Sequence, residues 1–379
     1  MTDLYFFYGT LCHPPLLERV LGRLPALHPA MLAGHEAREA CGADGAGLGF
    51  PILVPGAGPL PGLLAEITAA EGERLAFYET GYHTAELRVT DATGAERRAK
   101  TWLPEPGRWH AGAPWRLADW AAERGALATE AAAEFIALEG QLPAEAALAR
   151  YPMIKVRAAS RLRAANPAPA RVRRSPAPGD VVVEALRTPY AKFFAVEDYT
   201  LRHRLFSGGM SAPLQRAAFV SGDATVVLPY DPVRDRVLLV EQFRTGPFAR
   251  GDANPWSIEA VAGRVDPGET PEEAARREAA EEAGVTLSQL LPAPNFYPTP
   301  GAKSEYLYCF IGLADLPDGC AGFGGLEAEG EDIRAHLVGF DTLMELVESG
   351  EAENAPLVVL ALWLAQKRAS LRAAAGAAG

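Results

Sequence analysis

The sequence predicts an α+β protein of two domains, and three observations carry that expectation. Its 379 residues are too many for one ordinary hydrophobic core, at about 150 residues per domain. A stretch rich in proline, alanine and arginine, "RLRAANPAPARVRRSPAPGDVVVEALRTPY" from Arg161 to Tyr190, reads as an extended connector. Beyond it, several strand signals lead into one strongly capped helix, whereas the segment before it starts with a short apolar strand and closes with helical spacing.

Bulk composition excludes several function classes. A hydrophobic fraction of 49% with 22% charged residues is that of a soluble globular protein. The formal charge of −12 argues against nucleic-acid binding through a basic surface, and the connector's arginines have no interleaved aromatics. Four cysteines, Cys12, Cys41, Cys309 and Cys320, lack CxxC spacing, so neither a zinc site nor a disulfide framework is expected. The N-terminus lacks a basic region followed by an apolar stretch, and the most apolar run, Ala355 to Ala365, is too short to span a bilayer. A cytoplasmic protein with no membrane partner is the expectation. No pair among the seven histidines has metal-ligand spacing.

In the C-terminal part, "FFAVEDYTLRHRLFSGGMSAPLQRAAFV" reads as two strands around Gly208-Gly209, and "ATVVLPYDPVRDRVLLVEQFR" as two more around Asp231-Pro232. "WSIEAVAG" reads as one further strand. The helix after it has its signals in order: Thr270 at the N-cap, Pro271 at the first helical position, Glu273 completing a capping box, and Gly284 just past the end. These predict a helix from about Pro271 to Ala283. "APLVVLALWLAQKRASL" predicts a packed terminal helix, and the final "LRAAAGAAG" a frayed end. Residues 112–160 read as helices, with Trp115 and Trp120 as packing residues.

Glu278, Glu281 and Glu282 stand at i, i+3 and i+4 of the capped helix and so share one face. Surface helices usually interleave charge signs, so three carboxylates together imply a cation the sequence does not contain. Hard divalent ions such as Mg²⁺ take oxygen ligands of this kind, with waters and substrate phosphates completing the shell.

From Gly263 the chain has five residues to Glu269, seven more to Arg277-Glu278, then Glu281-Glu282, Gly284 and Val285. That pattern resembles the complete Nudix box of hydrolases acting on nucleoside diphosphates linked to another moiety, with Ala279 smaller than the usual aliphatic. Glu269 and Arg277 read equally well as a brace for the loop. Over residues 182–370 the segments "YTLRHRLFSGGMS", "LPYDPVRDRVLLVEQFR", "PWSIEAVAG", "PTPGAKSE" and "EGEDIRAHLV" resemble the ADP-ribose pyrophosphatase branch. The resemblance implies that the Ala262 carbonyl, Glu278 and Glu282 are the principal Mg²⁺ ligands, with Mn²⁺ as a substitute and Glu281 joining when more ions bind. It places Arg244, Glu259 and Glu305 around the diphosphate and terminal ribose. Phe193 and Arg216 would sandwich the adenine, partly across a homodimer interface. The general base would lie in "GGLEAEGEDIR", with Glu329 first and Glu331 second, the alternative being that both are solvation charges of a loop.

The N-terminal "LYFFYGTL" runs a strand into Gly9-Thr10, where backbone N–H groups can converge on an anion. Together with "FPILVPGAGPLPGLLAEIT" and "LAFYETGYHTAELRV" it resembles the gamma-glutamylcyclotransferase-like family over residues 1–120. The resemblance implies that Tyr8, Gly9, Thr10 and Leu11 cradle a carboxylate of a gamma-glutamyl compound. Glu79 would move protons while the substrate's α-amine attacks its own γ-carbonyl. A binding module without turnover, with Glu79 a surface charge, is the alternative.

The two resemblances turn the α+β expectation into a mixed β-barrel with helices at residues 1–120, a helical extension at 121–160, a linker at 161–181, and an α/β/α sandwich with a mixed sheet at 182–370. The expected activity is Mg²⁺-dependent hydrolysis of ADP-ribose. Its alternatives are another nucleoside diphosphate sugar or a nucleotide sensor without turnover.

Overall fold

The computed structural model describes residues 2–166, 169–326 and 330–378. The chain divides into two compact units, Met1–Pro167 and Ala168–Gly379.

The first unit contains β1 (Thr2–Phe7), α1 (Pro14–Leu21), β2 (His28–Leu32), β3 (His35–Cys41), β4 (Gly47–Pro55), β5 (Leu60–Thr68), α2 (Ala69–Tyr78), β6 (Tyr82–Asp91), β7 (Glu96–Pro104) and β8 (His110–Pro114). Four helices follow: α3 (Leu117–Trp120), α4 (Ala126–Ile136), α5 (Ala144–Leu148) and α6 (Tyr151–Ala164). A π turn, Ala121–Gly125, connects α3 to α4. Five strands close on themselves in the order β1-β5-β2-β6-β7. Most pairs are antiparallel, and closure rests on one short parallel contact, Tyr5 with Lys100. The result is a mixed barrel. β4, β3 and β8 form a second, three-stranded sheet.

The apolar run of β1 follows from this arrangement. Successive side chains of a strand face opposite ways. Phe6 packs inside with Leu32, Leu64 and Val89, while Tyr5 and Phe7 pack outward against Leu16, Leu17, Leu75 and Trp102. Both faces are buried, so alternation with polar residues is lost. Trp120 is buried in that outer cluster and donates from Nε1 to the Gly49 carbonyl at 2.8 Å, so it is a packing residue.

Helix α6 continues to Ala164, three residues past the point where the connector's composition begins. Its side chains are held from within the unit. Arg157, almost fully buried, donates from Nε to Glu134 at 2.9 Å, and Arg161 donates from Nε to Glu130 at 2.6 Å. A buried guanidinium bound to a carboxylate costs several kcal/mol to break, so the last turn of α6 stays wound.

The second unit contains β9 (Val181–Ala191), β10 (Ala195–His203), β11 (Leu214–Val220), β12 (Ala224–Asp231), β13 (Arg236–Phe243), α7 (Thr245–Arg250), β14 (Trp256–Glu259), β15 (Val261–Arg264), α8 (Pro271–Ala283), β16 (Gln289–Pro292), β17 (Leu307–Leu313), β18 (Phe323–Gly324), β19 (Ile333–Gly339), α9 (Phe340–Ser349) and α10 (Ala355–Ala378). β11, β10 and β9 form a three-stranded antiparallel sheet, and the remaining eight strands form one mixed sheet. Its order is β16-β17-β12-β13-β19-β18, with β14 on β13 and β15 on β12, and only β12 and β17 run parallel. One face packs α8 through Val227, Leu238, Val240, Ala275 and Ala279. The other packs α9 and α10 through Leu228, Leu239, Leu343, Leu357 and Leu364. This is an α/β/α sandwich.

Two details differ from the sequence reading. "WSIEAVAG" is two strands, because β12 and β13 pair only at Tyr230–Val237 and Asp231–Arg236 and then diverge. β14 continues along β13 and β15 along β12, and the chain crosses between them at buried Ala260. The C-terminal segment is helical through Ala378 rather than frayed. Its alanines carry the highest intrinsic helix propensity of any residue. Among the described residues no helix is long and apolar enough to cross a membrane.

Candidate functional site

Helix α8 begins and ends as its sequence specifies. The Thr270 side chain accepts from the Glu273 N–H, Glu273 accepts in return from the Thr270 N–H at 2.8 Å, and Gly284 takes the left-handed conformation. These caps fix the register and aim Glu278 and Glu282 at the strand in front. Glu282 is 2% exposed and accepts the Ala262 N–H at 3.1 Å. Glu278 lies so close to β15 that a Cβ on Gly263 would fall 1.8 Å from its Oε1. The first glycine of the box is thus the space that the carboxylate occupies.

Arg277 is the cation of the cluster. It donates from Nε and Nη2 to the two oxygens of Glu269 at 3.0 Å each, from Nη1 to Glu278 at 2.7 Å and Glu281 at 2.9 Å, and from Nη2 to the Arg264 carbonyl at 3.0 Å. The Glu269 hydrogen bonds lead in raising the pKa of Arg277, with Glu278 and Glu281 adding to them. The pair thus braces loop to helix, one of the two readings open from sequence.

Charge remains in excess. Burial lifts the pKa of Glu282 to about 8, and the charges of Glu278 and Glu331 push it the same way. Glu278 is also raised, by burial first and by Glu281 and Glu331 after it, against the pull of Arg277. An all-oxygen donor set holding more negative charge than its surroundings tolerate fits a hard divalent cation. Among the described residues no group of three His, Cys, Asp or Glu side chains stands in metal-caging geometry. The physical reason is visible in the hydrogen bonds: Arg277 already engages two of the carboxylates, and a cation would have to take its place.

Around this cluster, Arg244 forms a two-pronged pair with Glu259, Nε to Oε1 at 3.0 Å and Nη2 to Oε2 at 2.7 Å. Burial opposes the Arg244 charge, but the Glu259 bond and the charges of Glu259, Glu282 and Glu331 outweigh it and raise its pKa. Glu331 is close enough to act on the Arg244, Glu278 and Glu282 charges, and its Oε2 accepts the Leu326 N–H at 3.2 Å. Glu329 lies outside the described residues. Glu305 pairs with Lys303 at 2.9 Å, a partner the sequence reading missed. Phe193, in the turn between β9 and β10, is 54% exposed. Arg216 lies opposite Tyr199 on β11 and donates to the Gln215 carbonyl. Five residues of β10, Ala195 to Tyr199, about 17 Å at the strand rise, separate the turn that carries Phe193 from the level of Arg216. Arg264 is the guanidinium beside Phe193, 4.3 Å from the ring centroid.

Residues 221–358 match the NUDIX domain family, and residues 5–122 match the family described as gamma-glutamyl cyclotransferase, AIG2-like. An ADP-ribose pyrophosphatase of Escherichia coli is 42% identical over 185 residues, 49% of this chain and 88% of that protein. The chain belongs to the Nudix hydrolase family. An ADP-ribose pyrophosphatase of Haemophilus influenzae is 34% identical over 51% of the chain and 89% of its own length. A GDP-mannose pyrophosphatase of an Enterobacter species is 29% identical over 40% of the chain and 77% of its own length. This Nudix hydrolase thus carries a second unit, outside the Nudix match, that resembles the cyclotransferase family.

In that first unit, Tyr8 follows β1 and Gly9 precedes a 3-10 turn over Thr10–Cys12. A Cβ on Gly9 would meet the Pro51 ring at 2.8 Å, so the turn needs glycine for close approach. Glu79 follows α2 at its C-cap. Burial alone pushes its pKa up to about 8. Its charge in turn raises the Tyr8, Tyr78 and Tyr82 hydroxyls, after burial in each case. The Tyr8 hydroxyl donates to the Trp102 carbonyl at 2.9 Å and the Tyr82 hydroxyl to the Pro51 carbonyl at 2.7 Å. Tyr78 and Tyr82 flank Glu79 in the chain itself, whereas Trp102 had no sequence signal, because it arrives on β7, which only the closed barrel brings beside β1.

Proposed function

We propose that the C-terminal unit hydrolyses the diphosphate of ADP-ribose to AMP and ribose 5-phosphate with Mg²⁺, Mn²⁺ substituting. The observation that carries this reading is the group of acids Glu278, Glu281, Glu282 and Glu331 beside Arg244. The sequence similarity to two ADP-ribose pyrophosphatases favours the substrate. A divalent cation held by Glu278, Glu282 and the Ala262 carbonyl, with Glu281 for any further ion, would neutralise the diphosphate and lower the pKa of a bound water.

The chain's own residues do the rest. Glu278 and Glu281 would turn from Arg277 to hold the cation, and Arg277 would keep its two bonds to Glu269, so that the loop stays in place. Arg244, already oriented by Glu259, offers its remaining N–H donors to the diphosphate oxygens. A glutamate of the 326–332 loop, Glu329 or Glu331, takes the proton of the attacking water. Glu305 lies toward the terminal ribose and Phe193 toward the adenine. A nucleotide-sugar panel with detection of the nucleoside monophosphate released, AMP from ADP-ribose and GMP from GDP-mannose, tests the reading. Preference for GDP-mannose over ADP-ribose would replace the substrate, and no turnover of any diphosphate with Mg²⁺ would remove the hydrolase assignment for this substrate class.

A homodimer through this unit belongs to the proposal. β9 has ten of its eleven residues exposed, and Val181, Val183 and Leu186 are among its open apolar side chains. An uncovered strand of this composition pairs readily with another copy. Light scattering coupled to size exclusion measures the mass, and a monomer at micromolar concentration would end this part.

A second reading concerns the N-terminal unit. Glu79 is a buried acid with a pKa of about 8 near three tyrosine hydroxyls, which suits proton transfer near neutral pH. We infer cyclisation of a gamma-glutamyl compound to 5-oxoproline. The Tyr8 to Leu11 turn would hold a carboxylate while Glu79 carries the proton from attacking amine to leaving amine. Assay of 5-oxoproline release by the full chain tests it against a binding module, which would bind the compound without releasing product.

A further inference from the structure

Phe193 and the hydrolytic cluster are linked by one residue that the box pattern leaves unspecified. Arg264 is the last residue of β15, and its backbone is fixed on both sides. Its carbonyl accepts from Arg277 Nη2 at 3.0 Å, and the preceding Gly263 lies against the Glu278 carboxylate. Its guanidinium carbon lies 4.3 Å from the centroid of the Phe193 ring. Phe193 also meets Phe194 edge-on, with ring centroids 4.7 Å apart, yet keeps 54% of its surface exposed. The ring is therefore packed from behind and open in front.

We propose that Arg264 is a positioning residue for substrate. It holds Phe193 as a fixed platform whose open face stacks the base, and it sets that platform's distance from the carboxylates that receive the diphosphate. A guanidinium stacked on a phenyl ring is attracted by the ring's negative face, and it removes ring motion that substrate would otherwise have to freeze on binding. Because Arg264 and Arg277 are joined through a backbone carbonyl, the base platform and the box helix move as one body. The base is thus stacked within the chain by Phe193, held by Arg264, while Arg216, opposite Tyr199 in the middle of β10, has no part in it unless a second copy supplies it. This inference rests on the ADP-ribose reading.

Steady-state kinetics on the full chain test it with Arg264→Met, which keeps the stem and loses the charge, Arg264→Lys, Phe193→Leu, Arg216→Ala and the Phe193→Leu/Arg264→Met pair. Arg264→Met is expected to raise KM for ADP-ribose about three- to tenfold with kcat within about twofold, because ring stacking acts on binding and not on proton transfer. Arg264→Lys should recover part of the loss, and the double variant should be no worse than Phe193→Leu alone. A fall in kcat at unchanged KM, or additive losses in the double variant, would overturn the proposal. So would an Arg216→Ala effect on KM larger than that of Arg264→Met. If the wild-type chain does not turn over ADP-ribose at all, the substrate reading fails first. Fluorescence titration with ADP-ribose then reads the same variants as Kd, and an Arg264→Met value equal to wild type would remove the platform role independently.

Discussion

Glu79 and Glu282 share a pKa of about 8 and almost nothing else. Glu79 sits alone at the end of a helix, with tyrosine hydroxyls around it, and burial is the whole cause of its shift. Glu282 is buried as well, but Glu278 and Glu331 add repulsion, while the Ala262 N–H and Arg244 pull the other way. A solitary buried acid can hold or release a proton without disturbing a neighbour, which suits a proton carrier. A buried acid among other acids gains far more from a cation than from a proton, since one ion satisfies several carboxylates together. The same pKa therefore points to two chemistries, and the surroundings decide between them.

The largest expected effect separates the two units by their need for metal. Chelation with EDTA should abolish ADP-ribose hydrolysis and leave 5-oxoproline release within about twofold, because no step assigned to Glu79 uses a cation. Glu282→Gln should do the same to hydrolysis, lowering kcat by about 10²–10³-fold, the usual cost of removing one aligned electrostatic group, with the first unit's product formation unchanged. Loss of 5-oxoproline release on chelation would break the contrast. Next in size, Glu79→Gln should lower 5-oxoproline release by about 10²–10⁴-fold, the range for a general acid–base, and leave hydrolysis of ADP-ribose untouched. Equal losses in both activities would mean that the two sites are not independent.

Gly263→Ala sharpens the comparison on the metal side. Its Cβ would enter the space held by Glu278 Oε1, so the carboxylate must turn away while Glu282, held by Ala262, stays. Hydrolysis should fall about 10-fold or more, since a small misplacement at a reacting centre has effects of that order, and the Mg²⁺ concentration for half-maximal rate should rise. Unchanged Mg²⁺ dependence in this variant would remove Glu278 from the ligand set.

Much of the second site was legible in sequence because its geometry is local. Glu278, Glu281 and Glu282 occupy one helix, so helical spacing alone puts them on one face, and the capping residues Thr270, Glu273 and Gly284 give the register. Arg264 escaped because its partner Phe193 is set by strand pairing and turns, as are the Phe194 and Phe219 rings beside Lys303, whereas the Lys303–Glu305 pair is local. A residue's neighbours across a sheet depend on register, which no spacing within one segment encodes. The first site suffered more from the same limit. Glu79 and Tyr82 are local, the Tyr82 N–H donating to the Glu79 carbonyl at 3.0 Å, but Tyr8 follows β1 far earlier in the chain, and only the barrel brings it beside them. Likewise "WSIEAVAG" reads as one strand because the divergence of β12 from β13 that splits it lies elsewhere in the chain.

The last predicted effect is on stability, and its sign follows from the Glu79 shift. In the unfolded chain this carboxyl titrates near its ordinary value of 4.5, and in the folded protein near 8. The folded state thus binds the proton more tightly, so stability from this group is intact below about pH 4.5 and is lost progressively as pH rises toward 8. Replacing it with neutral glutamine removes the penalty. Glu79→Gln should melt with wild type near pH 4.5 and gain about 4 kcal/mol over it at pH 8. Thermal unfolding followed across that range, on the transition of the first unit, measures the difference. A gap that stays constant with pH would mean that Glu79 keeps its ordinary pKa, and the solitary-acid side of the comparison would then lose its basis.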